Sequence, residues 1–516
     1  MHAWTDGYVS EITYTSGFYR ELAPGLMRYA LAMRGYDCPS FEDFTYCELG
    51  FGQGLSCNLL AATHAPGRFW GTDFNPEHAA GAQQLARQAG LTNTHWFDES
   101  FREFLERDTP AFDFIGLHGI YSWVSEENRQ ILVEILRRKL KVGGVVYISY
   151  NTLPGWNNVI PLRYLLKSHE EALSAPREAV VDKVRRSLDF AARLTSLNAG
   201  YFGMTPGLAE RIEQVRGLDP HYVVHEYFHA SWTPVFFGQM VEALEAAKLS
   251  FACSANVTDQ LVGLTLPPAV SEELGKIPDP VFRETVRDFC RNTQFRRDFF
   301  VRGARPLTPE EQRRRVLDTR FALNVPRAAI GDKVKVEGGG EVSLRADIYP
   351  PILDALASGP ANLAELLARP GVAPLGFSTV SEALLILIGA GHAAPCLTEA
   401  EQAASTASTA AFNRVILEAT AAGRQDLAFL ASAVLGSGIP VGNAQMLMLR
   451  HYFQQGTTDP EAWVQGAWRD LQALDRRMLK DGRILPSEEE NLAELRLLAA
   501  EFAANALPML QGLGVA

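Results

Sequence analysis

The sequence predicts an α/β protein with a doubly wound parallel sheet in its first part and mainly helical domains after it. Short apolar runs alternate with helical patterns between residues 44 and 160, and a glycine-rich turn joins the first strand to the first helix. Helical patterns dominate the chain after residue 160. Together these observations indicate a Rossmann-like domain, whose ligand is expected at the carboxyl ends of the strands.

Each element of this domain is predicted from its periodicity and from the turns that bound it. The predicted strands are Tyr46–Leu49, Arg68–Thr72, Thr94–Phe97, Phe112–Leu117 and Val145–Tyr150. The predicted helices are Leu55–Thr63, Pro76–Ala89, Phe101–Arg107 and Glu126–Leu140. Gly143-Gly144 is expected to form the turn between the last helix and the last strand.

Composition and the positions of proline and glycine predict how the whole chain is divided into domains. We expect an N-terminal lid segment over 1–43, a ligand-binding domain over 44–160, a helical middle domain over 161–320, a winged-helix-like domain over 321–400 and a helical C-terminal domain over 401–516. The arginine-rich stretch 283–320 predicts a solvated helix face or a docking surface for an acidic partner. The alanine, serine and threonine run 403–411 predicts a linker or an exposed turn. The would-be recognition helix, Ser378–Gly389, has no Lys or Arg, so it is not expected to bind DNA.

Composition argues against several functional classes. The 516 residues suggest about three domains at ~150 residues each. The net charge of −12 argues against nucleic acid as a partner. Six scattered cysteines without a C-x-x-C motif indicate reduced thiols, and neither a signal peptide nor a run long enough to span a membrane is visible. We therefore expect a cytoplasmic protein without membrane insertion.

The most informative motif runs Glu48-Leu-Gly50-Phe51-Gly52-Gln-Gly54 and is followed by Asp73 at the end of the next strand. Glycine lets the backbone turn tightly against a ligand, and the helix start adds free N–H groups. Asp73 can accept hydrogen bonds from a ribose diol. A dinucleotide fingerprint requires glycine where Leu55 stands. The G-x-G-x-G spacing instead resembles the S-adenosylmethionine loop of class I methyltransferases.

That resemblance assigns further side chains to the cofactor. Phe74 follows the ribose acid and can pack on adenine, whereas Asp98, Glu99 and Ser100 end the third strand, where the adenine amine is usually met. The same three residues also suit the N-terminal cap of the helix at Phe101. At the end of the fourth strand, the cofactor-binding candidates are His118 and Gly119.

The candidate catalytic residues are expected at the edge of the sheet where the methyl acceptor enters. His118 can act as a general base or pack beside the cofactor. Tyr121 can stack on a cation or belong to the core. Tyr150 and Asn151 end the fifth strand and, with Tyr121, are candidates to desolvate and deprotonate an amine.

Three longer segments resemble bacterial methyltransferases that carry a methyltransferase regulatory domain. These are His118–Val124, Tyr147–Trp156 and Tyr222–Tyr227, with support from Phe282 to Arg297. The best-known members methylate lysines of outer-membrane proteins and join a class I domain to a middle and a C-terminal domain. The resemblance therefore implies S-adenosylmethionine as cofactor and a protein acceptor such as an envelope protein, with a homodimer as a further arrangement.

The leading hypothesis is thus a methyltransferase acting on protein lysine. One alternative is methylation of a sugar or small molecule, with His118 as the base, and another is a cofactor-binding regulator whose accessory region binds a partner. The histidines at 221, 225 and 229 would share a helix face, but Glu226 follows the second rather than the first, so no metal site is expected.

Overall fold

A seven-stranded sheet forms the centre of the first three hundred residues of the chain. The computed structural model describes residues 17–173, 178–229, 231–337, 340–424 and 426–516, apart from the side chains at 221, 225 and 262. The strands are β1 (Thr45–Leu49), β2 (Arg68–Thr72), β3 (Thr94–Phe97), β4 (Phe112–Leu117), β5 (Leu140–Asn151), β6 (Leu249–Ser254) and β7 (Phe295–Arg302). Their order is β3-β2-β1-β4-β5-β7-β6, and β7 runs in the direction opposite to the other six strands.

The predicted fold class and the first five strands are confirmed. The turn predicted at Gly143-Gly144 is wrong, because β5 already begins at Leu140 and both glycines lie within it. Gly143 has a φ of 81°, so the irregularity sits inside the strand rather than before it.

Helices on both faces connect the parallel strands. They are α1 (Pro24–Met33), α2 (Leu55–Thr63), α3 (Pro76–Gln88), α4 (Phe101–Glu106) and α5 (Glu126–Lys139). The polar residues Asn75, Ser100 and Ser125 begin the last three, each accepting a hydrogen bond from a backbone N–H of the first turn. The caps thus fix where each helix leaves the edge of the sheet that carries the strand ends.

A helical module follows β5 and has a core of its own. It comprises α6 (Ile160–Leu173), α7 (Val180–Ser196), α8 (Gly200–Met204), α9 (Leu208–Arg216) and α10 (Pro220–Phe228). Leu166, Ile212 and Val224 are among its fully buried side chains. The chain then returns to the sheet, where Val235 N donates to Asn151 O at 3.1 Å.

The return supplies the two strands that sequence patterns did not predict. Helices α11 (Phe237–Glu245), α12 (Val262–Thr265), α13 (Pro268–Gly275) and α14 (Pro280–Arg291) surround β6 and β7. The arginine-rich stretch was expected to be a solvated helix face, but Arg296 on β7 is buried. It pairs with Asp298, Asp288 and Glu284 at 2.8, 3.0 and 3.2 Å. The buried acids explain why arginine is tolerated inside a sheet.

The next segment alternates helices with short strands, and the winged-helix interpretation of it stays a prediction. It begins with α15 (Pro309–Asp318) and β8 (Arg320–Leu323), followed by the hairpin β9 (Lys333–Val336) and β10 (Gly340–Ser343). Next come α16 (Tyr349–Ala357), β11 (Ala361–Asn362), α17 (Leu363–Ala368), α18 (Gly376–Gly389) and β12 (Ala393–Pro395). Strands β11 and β12 flank β8 in a small antiparallel sheet.

The C-terminal domain packs on the helix that starts at the glycine loop. Its helices are α19 (Glu399–Ala421), α20 (Asn443–Gln455), α21 (Pro460–Ala473), α22 (Glu488–Glu501) and α23 (Leu507–Gly512), with a π-helical turn at Phe502–Ala506. The hairpins are β13 (Phe429–Ser432) with β14 (Ser437–Pro440), and β15 (Leu479–Lys480) with β16 (Arg483–Ile484). None of the described helices combines the length and apolar character needed to cross a membrane.

The linker predicted over 403–411 is wrong, because these residues lie within α19. Alanine favours helix, and Thr398 and Glu401 form a capping box that starts it. The small side chains allow close approach to α2: Ser408 Oγ and Thr409 Oγ1 donate to Ala62 O at 2.6 and 3.2 Å.

Candidate active site

A cavity of about 720 Å³ opens at the carboxyl ends of the parallel strands. Cavities of this size commonly hold a cofactor together with part of a substrate. One end, the cofactor end, is lined by the loop between β1 and α2 and by the residues that follow β2. The other, the acceptor end, is lined by Trp123, Trp156, Tyr222, Glu226 and Tyr227. The sheet domain and the helical module therefore share one cavity.

The glycine loop has the geometry that its sequence predicts. Gly50, Gly52 and Gly54 have φ values of 74°, 57° and 77°, the left-handed region that favours glycine. A Cβ on Gly50 would lie 2.3 Å from Ile120 Cδ1, whereas a Cβ on Gly52 would meet no atom within 4 Å. Gly50 is thus required by packing, and Gly52 leaves the space beside the loop open to a ligand.

Asp73 holds this loop and also borders the cavity. Gly52 N donates to Asp73 Oδ2 at 2.8 Å, and Asn75 N donates to Oδ1 at 3.0 Å. His78 Nδ1 lies 3.1 Å from the same Oδ1. A carboxylate has about four acceptor positions, so one remains for a ligand hydroxyl.

Glu48 lies beside Asp73 in a different environment. Its side chain is buried on the cavity wall, and Oε2 has no hydrogen-bond partner among the described residues. Burial, with the Asp73 charge as a second cause, raises the pKa of Glu48 to about 8. A buried carboxyl without a partner is costly, and a ligand ammonium at this position would relieve the cost. The residues present therefore fit an amino-acid-bearing cofactor such as S-adenosylmethionine.

The residues predicted to meet adenine are only partly brought together. Phe51, Phe74, Glu99 and Ser100 line the cavity, whereas the Asp98 side chain is exposed and lies outside it. Glu99 accepts from Arg107 Nε at 2.8 Å, and Ser100 forms a capping box at the start of α4. Capping thus accounts for Ser100, and Asp98 is corrected to a surface residue.

His118 and Gly119 lie where the cavity passes from its cofactor end to its acceptor end. The His118 ring stacks on Tyr19 with 3.5 Å between centroids, and Nδ1 lies 2.8 Å from Tyr147 Oη. Burial lowers the pKa of His118 to about 4. Gly119 N donates to Ser149 Oγ at 2.7 Å. A neutral, stacked imidazole favours packing beside a cofactor over general-base catalysis.

Neither of the two candidate catalytic tyrosines, Tyr121 and Tyr150, lines the cavity. Tyr150 is 1% exposed, and its hydroxyl donates to Asp298 Oδ2 at 2.7 Å within the ion-pair cluster of β7. Tyr121 packs in the sheet core, with the Arg129 guanidinium 5.5 Å from its ring centroid. Strand alternation explains the error for Tyr150, since its neighbour Asn151 points to the other face and reaches the cavity.

Asn151 remains a candidate at the acceptor end. It is buried, and its Nδ2 has no hydrogen-bond partner among the described residues. Its backbone N–H donates to Ser122 Oγ at 2.9 Å. Its side-chain amide nitrogen therefore remains able to donate a hydrogen bond to a ligand.

The aromatic wall of the acceptor end was missed as a unit by sequence reasoning. The Trp156 and Tyr227 ring centroids are 6.4 Å apart, and Trp156 Nε1 donates to Gln294 O at 2.8 Å. Tyr222, Glu226 and Tyr227 share helix α10. The run Tyr222–Tyr227, two aromatic residues around an acid, was the available signal, but nothing in the sequence placed it beside Trp156.

The histidine series does not form a described metal site. His229 borders the cavity, whereas the side chains of His221 and His225 lie outside the described residues. Among the side chains that are described, no group of three potential ligands could hold a metal ion.

Two family models match parts of the chain. Residues 47–144 match a family described as a methyltransferase domain, and residues 219–302 match a family described as a predicted methyltransferase regulatory domain. An uncharacterised protein of Synechocystis sp. is 39% identical over 514 residues, 99% of each chain. An uncharacterised protein of Rickettsia prowazekii is 28% identical over 55% of this chain and 51% of its own length.

Solved structures agree over nearly the whole chain. PKMT2 from Rickettsia typhi, in complex with AdoHcy, superposes with a TM-score of 0.70 over 95% of this chain and 98% of that one, at 20% identity. A second structure of that protein gives a TM-score of 0.69 over 97% and 99% of the two chains, at 19% identity. At this identity the likeness establishes the fold.

Proposed function

We propose that this chain, which belongs to the family of S-adenosylmethionine-dependent methyltransferases that carry a methyltransferase regulatory domain, methylates lysine side chains of proteins. The enzyme class and the cofactor follow from the family. The acceptor is our inference, and the observation that carries it is the acceptor end of the cavity, which is lined by several aromatic residues and one carboxyl group. The structural neighbour named PKMT2 supports the same direction.

The chain's own residues account for cofactor binding. S-adenosylmethionine, when bound, supplies a methyl group on a sulfonium sulfur, which keeps the bonding electron pair after transfer. Glu48 would pair with the ammonium of the cofactor, Asp73 would accept hydrogen bonds from its ribose, and Phe74 would pack on its adenine. These roles match the unpartnered Glu48 oxygen and the remaining acceptor position of Asp73.

A lysine side chain matches the acceptor end in both shape and charge. Trp123, Trp156 and Tyr222 line the cavity, and a cation over the face of such a ring gains about 0.5–2 kcal/mol. The ring contact favours binding of the ammonium form, whereas exclusion of water by the same rings favours the neutral amine that must react. Asn151 can orient that amine through its buried amide.

Methylation of a hydroxyl is less well supported by the same residues. A hydroxyl acceptor needs a strong base, and His118 was the candidate for that role. With its pKa lowered to about 4, His118 is a weak proton acceptor.

Incubation of a bacterial protein extract with the enzyme and methyl-deuterated S-adenosylmethionine tests the proposal. Acid hydrolysis followed by mass spectrometry should find the label on methylated lysine. The control is the Gly52→Val variant, which should lose cofactor binding because the added side chain occupies the open space beside the loop and strains the backbone at its positive φ. Label in glycan or small molecules, with none on lysine, would exclude the lysine acceptor.

A further inference from the structure

We propose that Glu226 is the proton acceptor of the reaction, taking a proton from the lysine ammonium at the acceptor end of the cavity. The inference rests on the proposed function, since a lysine acceptor is the group that supplies the proton. It assigns a catalytic residue to the helical module, outside the sheet domain that binds the cofactor.

The position of Glu226 is the first argument. It lies on α10 one turn after Tyr222, and both side chains line the cavity. The neighbouring Tyr227 lines it as well, so the carboxyl is flanked by aromatic rings. Tyr19 also lines the cavity, and burial, with the charges of Glu48 and Glu226 as further causes, raises the pKa of its hydroxyl.

The cations near Glu226 are engaged elsewhere. Arg163 on α6 donates to the backbone carbonyls of Glu226 and His229 at 3.1 and 2.9 Å, and Arg211 on α9 donates to Tyr227 Oη at 3.0 Å. Among the described contacts, neither guanidinium forms an ion pair with the Glu226 carboxylate. Burial raises the pKa of Glu226 to about 7, against the lowering effect of the two arginines. The carboxyl is therefore available to a ligand and titrates near neutrality.

The other acids that line the cavity are less suitable. Glu48 lies at the cofactor end, where it would hold the cofactor's ammonium. Asp73 accepts from Gly52 N and Asn75 N, and Glu99 is bound by Arg107. Glu226 is the described carboxyl at the aromatic end, where the lysine ammonium would enter.

The proposed step transfers one proton from the lysine ammonium to the Glu226 carboxylate. One N–H bond of the lysine ammonium breaks and one O–H bond forms on Glu226, which becomes a neutral carboxylic acid. The amine keeps both electrons of the broken bond and uses them for the new bond to the methyl carbon. With a lysine pKa near 10.4 and an ordinary Glu near 4.3, a carboxyl of pKa about 7 makes this transfer roughly 500-fold less unfavourable.

The Glu226→Gln variant of the full-length protein tests this role. The acceptor is the unlabelled form of the proteins that take up the label on lysine in the extract. The substitution keeps the shape of the side chain and removes the proton acceptor. We expect kcat at pH 7 to fall by about 10²–10³. The loss should shrink toward pH 10, where solvent deprotonates the lysine. Binding of S-adenosylmethionine should change by less than about twofold, and Glu226→Asp should restore part of kcat.

Glu210→Gln is the matched control, because Glu210 is an exposed acid in the same module and lies outside the cavity. It should keep the wild-type pH profile. An unchanged kcat in Glu226→Gln, or a loss of equal size at every pH, would overturn the proposal. A wild-type enzyme that methylates an acceptor other than lysine would instead refute the proposed function, and the proton transfer with it.

Discussion

At the cofactor end, the carboxyl groups of Glu48 and Asp73 lie at the ends of neighbouring strands and differ in their hydrogen-bond partners. Asp73 is stabilised by two backbone N–H groups, whereas one oxygen of Glu48 has no described partner. Asp73 thus organises the glycine loop even without a ligand, and Glu48 is left for a cation that the ligand brings. The two acids should therefore respond differently to substitution.

Asp73→Ala should weaken S-adenosylmethionine binding about ten- to a hundredfold, because charge-assisted hydrogen bonds worth roughly 1.5–3 kcal/mol are lost. Asp98→Ala is the matched control, since Asp98 follows the next strand but is exposed outside the cavity. Titration calorimetry measures both affinities. Equal losses in the two variants would contradict the placement of Asp73 at the ribose.

Binding of S-adenosylmethionine at pH 7 should release close to one proton from Glu48. With a pKa of about 8, the free carboxyl is mostly protonated at pH 7, and a bound ammonium favours its ionised form. Affinity should therefore rise as the pH increases from 6 toward 8. Calorimetry in buffers of different ionisation enthalpy counts the protons. A wild type that releases none, or a Glu48→Gln variant that still releases one, would refute this.

Local patterns could predict the cofactor end because its residues lie close together in the chain. The loop at Gly50–Gly54 and the acid at Asp73 belong to consecutive strand–loop–helix units, so their spacing alone places them at one edge of the sheet. The acceptor end could not be predicted in this way. Trp156 and Tyr227 meet only after the helical module folds back on β5.

At the scale of elements, β6 and β7 complete the sheet from beyond the predicted domain boundary at residue 160. Sequence patterns missed β7 because its arginines suggest a solvated helix face, and most of the acids that pair with them lie on other elements. Glu284 and Asp288 on α14 compensate Arg296, and Glu21 near the N-terminus compensates Arg297 at 2.8 Å. Burial of the charges is thus a tertiary effect that no local pattern records.

A fragment ending at residue 160 should fail to fold and to bind S-adenosylmethionine. It lacks β7, which pairs with β5 from Val145 to Asn151, so a buried strand would become an exposed edge. A fragment ending at residue 303 retains both strands and is the matched comparison. Circular dichroism with thermal unfolding checks the outcome. A cooperative transition and full-length affinity in the shorter fragment would contradict the account.

At the scale of the whole molecule, the C-terminal domain packs against α2, the helix that follows the glycine loop. Every residue of α2 is buried, and its last turn accepts hydrogen bonds from α19 at Ala62 O. The helix that starts at Gly54 is thus held between the sheet and the C-terminal domain.

The double variant Ser408→Ala, Thr409→Ala should lower the free energy of unfolding by roughly 1–3 kcal/mol, because the Ala62 carbonyl loses its side-chain partners. Thr406→Ala is the control, as this exposed residue bonds only within its own helix, to Gln402 O at 2.9 Å. Urea denaturation measures both. Equal stability of the two variants would argue against a supporting role for this contact.

The central claim is that one cavity holds the cofactor and a lysine side chain in line for transfer. It is tested most directly by calorimetry with a bisubstrate compound, an adenosine–homocysteine analogue whose sulfur is replaced by an amine carrying an aminoalkyl chain. The account predicts binding at least about tenfold tighter than for the same compound with a methyl-terminated chain, a gain of about 1.4 kcal/mol. Trp156→Ala should abolish that gain. Equal affinity of the two compounds in the wild type would contradict the claim.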